Sequence, residues 1–119
     1  CELDKAWEGI QFCLGKGKWD EKNSVPTNIV FAGEFIVETE NEIITLKNNS
    51  DVSQIVDYLH QNNLQDVIGK NFPMIDEQEF SLSKSDDVLN YLLDWSRDIQ
   101  SFYENALKEN CSVIFTVDL

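Results

Sequence analysis

Four glutamates crowd one short stretch of this chain: Glu34, Glu38, Glu40 and Glu42. Carboxylates at this density can hold a hard cation when several turn inward around a glycine-bent loop. The glycine punctuation of a calcium loop is missing, however, and Glu alternating along a strand marks its solvated face. A second acidic group, Asp76, Glu77 and Glu79, surrounds Ile75 and Phe80; the apolar pair should turn inward while the acids stay wet. His60 is the sole histidine. Its neighbours Gln61, Asn62 and Asn63 supply neither a second metal ligand nor an orienting acid, so it reads as an exposed helix-end residue. Gly15-Lys16-Gly17-Lys18 is not a phosphate loop, because it lacks the GKS or GKT ending and follows a helix where a P-loop follows a strand. A nucleophile with its base, a phosphate cradle and a ligand cluster are all missing from the sequence pattern. No catalytic residue, metal ligand or cofactor is therefore expected.

The aromatic residues offer binding rather than reaction chemistry. Trp19 interrupts a polar loop running from Lys16 to Ser24; a Trp there either folds back on the core or stands at a binding surface, and packing is the plainer reading. Trp7, Trp19, Trp95, Tyr91 and Tyr103 could line a small-molecule pocket, but aromatics at helical spacing are more often core. The three cysteines, Cys1, Cys13 and Cys111, form no CxxC pair, and their odd number argues against a disulfide framework. Cys13 and Cys111 read as small buried hydrophobes of a reducing cytoplasm. Cys1 is either a lipidated first residue or a truncation point, and truncation is favoured.

Charge is the most unusual bulk property: 22 acids against 9 bases give a net charge of -13 over 119 residues. Nucleic acid is an unfavourable ligand, since phosphate binding depends on Lys and Arg displacing counterions and Arg97 is the only arginine. A basic partner fits the charge better, although acidity for solubility alone is the plainer alternative. No apolar run approaches the roughly 18 residues of a membrane span, and no signal-peptide pattern is present. The length suits one domain with one core.

Helical spacing places a first helix over Asp4 to Leu14, closed by Gly15. Pro26 and Gly33 bracket either a short helix over Thr27 to Ala32 or a strand over Ile29 to Phe31. Two β-prone runs, Phe35 to Val37 and Ile43 to Leu46, make a hairpin. Lys47 to Ser50 form a turn, and Asp51 with Gln54 makes a capping box for a helix to Gln61. Leu64 to Lys70 form another helix. From Ser85 to Asn110 the apolar residues Val88, Leu92, Trp95, Ile99, Phe102 and Ala106 predict one helix of some 24 residues, about 36 Å long. Val113 to Val117 is a nearly continuous apolar run, the pattern of a strand buried on both faces. The expected fold class is α+β: a small mixed sheet packed by several helices, with a long C-terminal helix followed by a buried C-terminal strand.

The opening Leu3-Asp4-Lys5-Ala6-Trp7-Glu8-Gly9-Ile10-Gln11-Phe12-Cys13-Leu14-Gly15 resembles the "LDKAWxGIxFLLTG" segment of the YfbM-like family, a bacterial family named for a domain of unknown function. The later order of elements is similar too, from Pro26 to Gly33, through Val52 to Leu59 and Met74, to Leu89 through Phe115. The chain departs from that family at Glu8 and Gln11, where members often carry His, and it lacks the segment that usually precedes the first helix. The resemblance implies a single α+β domain over residues 1–119, lacking an amino-terminal segment, and it brings no catalytic residues. With charge of one sign and an empty catalytic inventory, the expected function is non-catalytic binding of a basic protein, for instance an immunity protein neutralising a toxin. Trp19 and the acids Glu34, Glu38, Glu40, Glu42, Asp76, Glu77 and Glu79 are the expected contact residues. The alternative is a small-molecule-binding or enzymatic protein of the same fold, which requires a concave pocket with convergent polar groups.

Overall fold

A computed structural model describes residues 1–19 and 24–119; the part of the Trp19 loop from 20 to 23 lies outside the described residues. Among these, α1 (Ala6–Leu14) is followed by a single 3-10 turn at Thr27–Ile29 and a hairpin of β1 (Glu34–Glu38) and β2 (Glu42–Lys47). Then come α2 (Asn49–Gln61), α3 (Leu64–Asn71), α4 (Asp86–Ser96), α5 (Ile99–Lys108) and β3 (Val113–Asp118). The fold is α+β, with the strands in the order β1-β2-β3.

The sheet is antiparallel throughout rather than mixed. A three-residue connection makes β1 and β2 antiparallel of necessity. β3 begins where β2 ends: Lys47 pairs with Val113, and Asn49 Nδ2 donates to Asn110 Oδ1 at 3.2 Å. As an edge strand, β3 alternates between the core and solvent, from buried Val113 to exposed Ile114 and Thr116. The expectation of burial on both faces is therefore corrected: helices cover only one side of the sheet, and the outward β-branched residues look apolar without being buried.

The stretch read as one long helix is two. α4 packs on α1 and α3, whereas α5 packs on α2, so the axis must change direction between them. The break lies at Ser96 to Asp98. Ser96 Oγ donates back to the Leu93 carbonyl at 2.8 Å, a contact that bends helices, and Arg97 N reaches only Asp94 O, at 3.4 Å. Buried Leu92, Ser96, Ile99 and Tyr103 keep helical spacing across the break, which is why periodicity alone runs through it. The α2 cap also moves: Asn48 Oδ1 accepts from Asp51 N at 2.9 Å and Asp51 Oδ2 from Asn48 N at 3.0 Å, a capping box three residues earlier than Asp51 and Gln54.

The interior is crossed by the segment from Thr27 to Ala32, every residue of which is buried. Three side chains satisfy its backbone. Gln11 of α1 accepts from Phe31 N at 3.0 Å and donates to Thr27 O at 3.3 Å. Tyr103 of α5 donates to Ile29 O at 2.5 Å. Lys47 of β2 donates to Val30 O at 2.5 Å and to Thr45 Oγ1 at 2.9 Å, with its Nζ 5.3 Å from the Phe115 ring centre. Lys47, expected in a surface turn, is fully buried. Burial pushes its ammonium down to about 7, with Asp51 opposing the shift.

Three measurements check this arrangement. Because folded Lys47 releases its proton near pH 7 and an unfolded lysine near 10.4, the unfolded state binds more protons between those values, so stability contributed here rises with pH across that window. Buried Cys13, pushed up to about 12, acts oppositely once an unfolded thiol ionises above roughly 8.5, so the difference from a Lys47→Met variant isolates the lysine. Urea melts should show the wild type gaining on the variant by up to ~1.4 kcal/mol per pH unit from pH 7 upward; parallel pH curves would refute the buried lysine. Gly17 has a φ of +89°, and a Cβ there would stand 2.5 Å from Met74 Cβ and 2.6 Å from its carbonyl. Gly17→Ala should cost ~2 kcal/mol or more. At Gly69, inside α3, a Cβ meets nothing within 4 Å, so Gly69→Ala should stabilise by about 0.5–1 kcal/mol, read by the same melts.

Candidate functional site

A cleft of about 840 Å³ opens beside α1. One wall is α1 itself, where Glu8 and Phe12, four residues apart, share a face next to Trp7. The helix is anchored behind them by buried Ala6, Ile10 and Cys13. At its end Gly15 N bonds to Gln11 O at 3.1 Å and Gly17 N to Phe12 O at 2.8 Å. This tight turn lies against Met74 and brings Trp19 back over α1. The other wall is the segment from Met74 to Glu79, held by Asp76 Oδ1 accepting from Gln78 N at 2.9 Å and by Lys84 Nζ donating to Pro73 O at 2.7 Å.

The apolar part of the cleft is aromatic. Trp19 has its ring centre 5.2 Å from Phe12, 6.0 Å from Trp7 and 5.0 Å from Phe31. Phe31 in turn stacks on Trp7 at 5.8 Å. Edge-to-face pairs at these separations hold the rings rigidly. Met74, 60% exposed, completes the apolar lining. The polar lining is mostly anionic: Glu8, Asp76 and Glu79, with Lys18 as the single base among the described residues. Glu8 is fixed by Ser81, whose Oγ donates to Oε2 at 2.5 Å and whose N donates to Oε1 at 3.3 Å. Indole faces carry negative quadrupole charge, so aromatic walls and carboxylates both favour a cation here.

Of the residues singled out from sequence, Trp7, Trp19, Asp76 and Glu79 meet in this cleft, whereas Tyr91, Trp95 and Tyr103 lie outside its lining. Trp19 both packs on the core and lines the cleft, so the two readings of it coexist. Glu77 is exposed on the same segment but outside the lining. Glu34, Glu38 and Glu40 are exposed and Glu42 half-buried on the hairpin, away from the cleft lining. Among the described residues, no three His, Cys, Asp or Glu side chains are grouped to hold a metal ion. His60 is exposed, 3.6 Å from Glu104. Cys111 is exposed rather than buried, because it sits in the turn between α5 and β3, where its N bonds to Ala106 O at 2.8 Å. Glu8, Phe12 and Met74 were not legible as site residues; only the adjacency of Glu8 to Trp7 on the first helix hinted at a rim. No helix among the described residues is long and apolar enough to cross a membrane.

Comparison with known proteins adds a family and no activity. No curated protein and no solved structure matches the chain. Residues 1–116, almost the whole sequence, match the family described as a domain of unknown function (DUF1877). The helix carrying Trp7, Glu8 and Phe12, the turn at Gly17 and the segment from Met74 to Glu79 all fall inside that match, and the chain belongs to the DUF1877 family.

Proposed function

We propose that this domain is a non-catalytic binding protein for a basic protein partner, and that its cleft seats a lysine or arginine side chain of that partner. The observation that carries the reading is the aromatic lining of Trp7, Phe12 and Trp19 bordered by Glu8, Asp76 and Glu79. A guanidinium or ammonium group entering such a site gains both carboxylate and ring interactions, while an anion is rejected. Bulk charge works in the same direction. The excess of 22 acids over 9 bases raises the encounter rate with a basic surface. Among the described residues only two ion pairs form, Arg97 with Asp94 and His60 with Glu104, leaving most carboxylates without a basic neighbour. An immunity protein that neutralises a basic toxin is one biological form this takes in a cytoplasm. The YfbM-like resemblance of the first helix belongs to the same proposal, as a finer placing within the family.

A second reading rests on the size of the cleft. About 840 Å³ lies within the range that holds small molecules, so a free cationic metabolite could occupy it in place of a side chain. The two readings separate on one set of titrations. Tryptophan fluorescence followed during addition of an oligo-arginine peptide should report binding that weakens steeply from low to high salt. Asp76→Asn and Glu79→Gln should each weaken it roughly two- to fivefold, and Trp19→Ala about tenfold. Affinity indifferent to salt and to these substitutions would overturn the proposal. A rise in melting temperature with a free amine, absent with the peptide, would favour the small molecule.

A further inference from the structure

The outer face of the sheet is a second surface, independent of the cleft. Cross-strand partners share a face, as do residues two apart on one strand. The register therefore sets Leu46, Ile114 and Glu34 in one row, Ile44, Val37 and Thr116 in the next, and Glu42 with Asp118 in the last. On the opposite face, Phe35, Ile43 and Phe115 pack against the core; Val37, Ile44, Leu46 and Ile114 do not. Ile114 is 59% exposed, and Ile36, at the bulge of β1, is 53% exposed. The result is an aliphatic strip with carboxylates at both ends and no lysine or arginine in any row.

Aliphatic surface on a sheet face is normally covered, and the charges decide by what. A second copy docked about a twofold axis would set the acids at the two ends of the strip against one another or against their own equivalents, and like charges across an interface oppose association. Glu42 and Asp118 already stand opposite each other within the sheet, so the acidic end gains most from an incoming cation. We infer that this face docks a protein partner presenting an apolar strip flanked by lysine or arginine side chains. Aliphatic contact supplies the affinity, and the carboxylates at the ends set register and exclude acidic surfaces.

The test uses the full-length protein, labelled for amide resonances, and three synthetic peptides: one with an apolar leucine face flanked by lysines, one with glutamate in place of lysine, and an all-lysine peptide. The leucine and lysine peptide should shift the amides of Ile44, Leu46 and Ile114 and bind at least tenfold more tightly than either control. Ile114→Lys should weaken that binding at least tenfold with the melting temperature unchanged. Thr116→Lys, an exposed position on the same face, serves as a second variant and should do the same. Trp19→Ala should leave it unaltered, which separates this surface from the cleft. The inference is overturned by equal binding of the three peptides, by no binding, or by insensitivity to both lysine variants. It is also overturned by a dimer in sedimentation that Ile114→Lys dissociates. A fall in melting temperature in both lysine variants would likewise sink it, because more of the protein's own chain would then cover the face.

Discussion

The segment from Thr27 to Ala32 passes through the interior without belonging to a sheet, so its carbonyl and amide groups must find partners from elsewhere. A strand would satisfy them by pairing and a helix by its own turns; the single 3-10 turn at Thr27–Ile29 does so only partly. Ser24 O and Thr27 O accept from Asn28 N and Ala32 N, and Gln11, Lys47 and Tyr103, from α1, β2 and α5, hold Phe31 N, Val30 O and Ile29 O. These elements are far apart in sequence, and one short segment holds all three. Losing any one partner strands a buried carbonyl or amide, which costs about 1–3 kcal/mol each. Asn28 Oδ1 is buried with no hydrogen-bond partner among the described residues.

The same segment carries Phe31, and through it the interior reaches the cleft. Phe31 touches Trp7, Trp19, Phe35 and Phe115, which belong to α1, the following turn, β1 and β3. The amide of Phe31 is the one Gln11 holds. Backbone satisfaction in the core thus fixes the height of Phe31, and Phe31 fixes the tilt of both indoles in the cleft. Lys47 enters the same chain of contacts by lying beside Phe115. Burying a lysine in this way is expensive, yet its long reach is what lets β2 bond to Val30 across the inner face of the sheet.

Element type was readable from the sequence wherever periodicity was strong: α1, the hairpin, α2 and α3 lie where spacing puts them, although α1 begins two residues later than Asp4 and α2 is capped by Asn48 rather than Asp51. The failures have specific causes. A helical stripe cannot show a change of axis when the buried positions stay in phase, as Leu92, Ser96, Ile99 and Tyr103 do. An aliphatic run cannot show which of its faces is covered, so β3 looked interior when half of it is outward. Lys47 follows a strand pattern inward, but its type argues for solvent, and only the distant Val30 carbonyl explains its place. The candidate site was half visible. Trp19, Asp76 and Glu79 stood out by type, while Glu8, Phe12 and Met74 join them only because the Gly17 turn folds against Met74, a contact with no local signature.

A net charge of -13 by itself distinguishes nothing, since solubility and docking both follow from it. Placement is more discriminating. Carboxylates spread over exposed helix faces interact with water and salt, and such sites are weakly selective at ordinary ionic strength. Carboxylates bordering apolar surface act differently: the neighbouring rings or aliphatic chains exclude water on one side, which strengthens attraction to a cation and raises the cost of an anion. Glu8 and Asp76, lining one cleft with two indoles, and Glu42 and Asp118, on the sheet face with Ile44 and Thr116, are of the second kind. The two proposed surfaces, built from unrelated elements, would therefore share one selection rule, which follows from the adjacency of charge to apolar area rather than from the total charge.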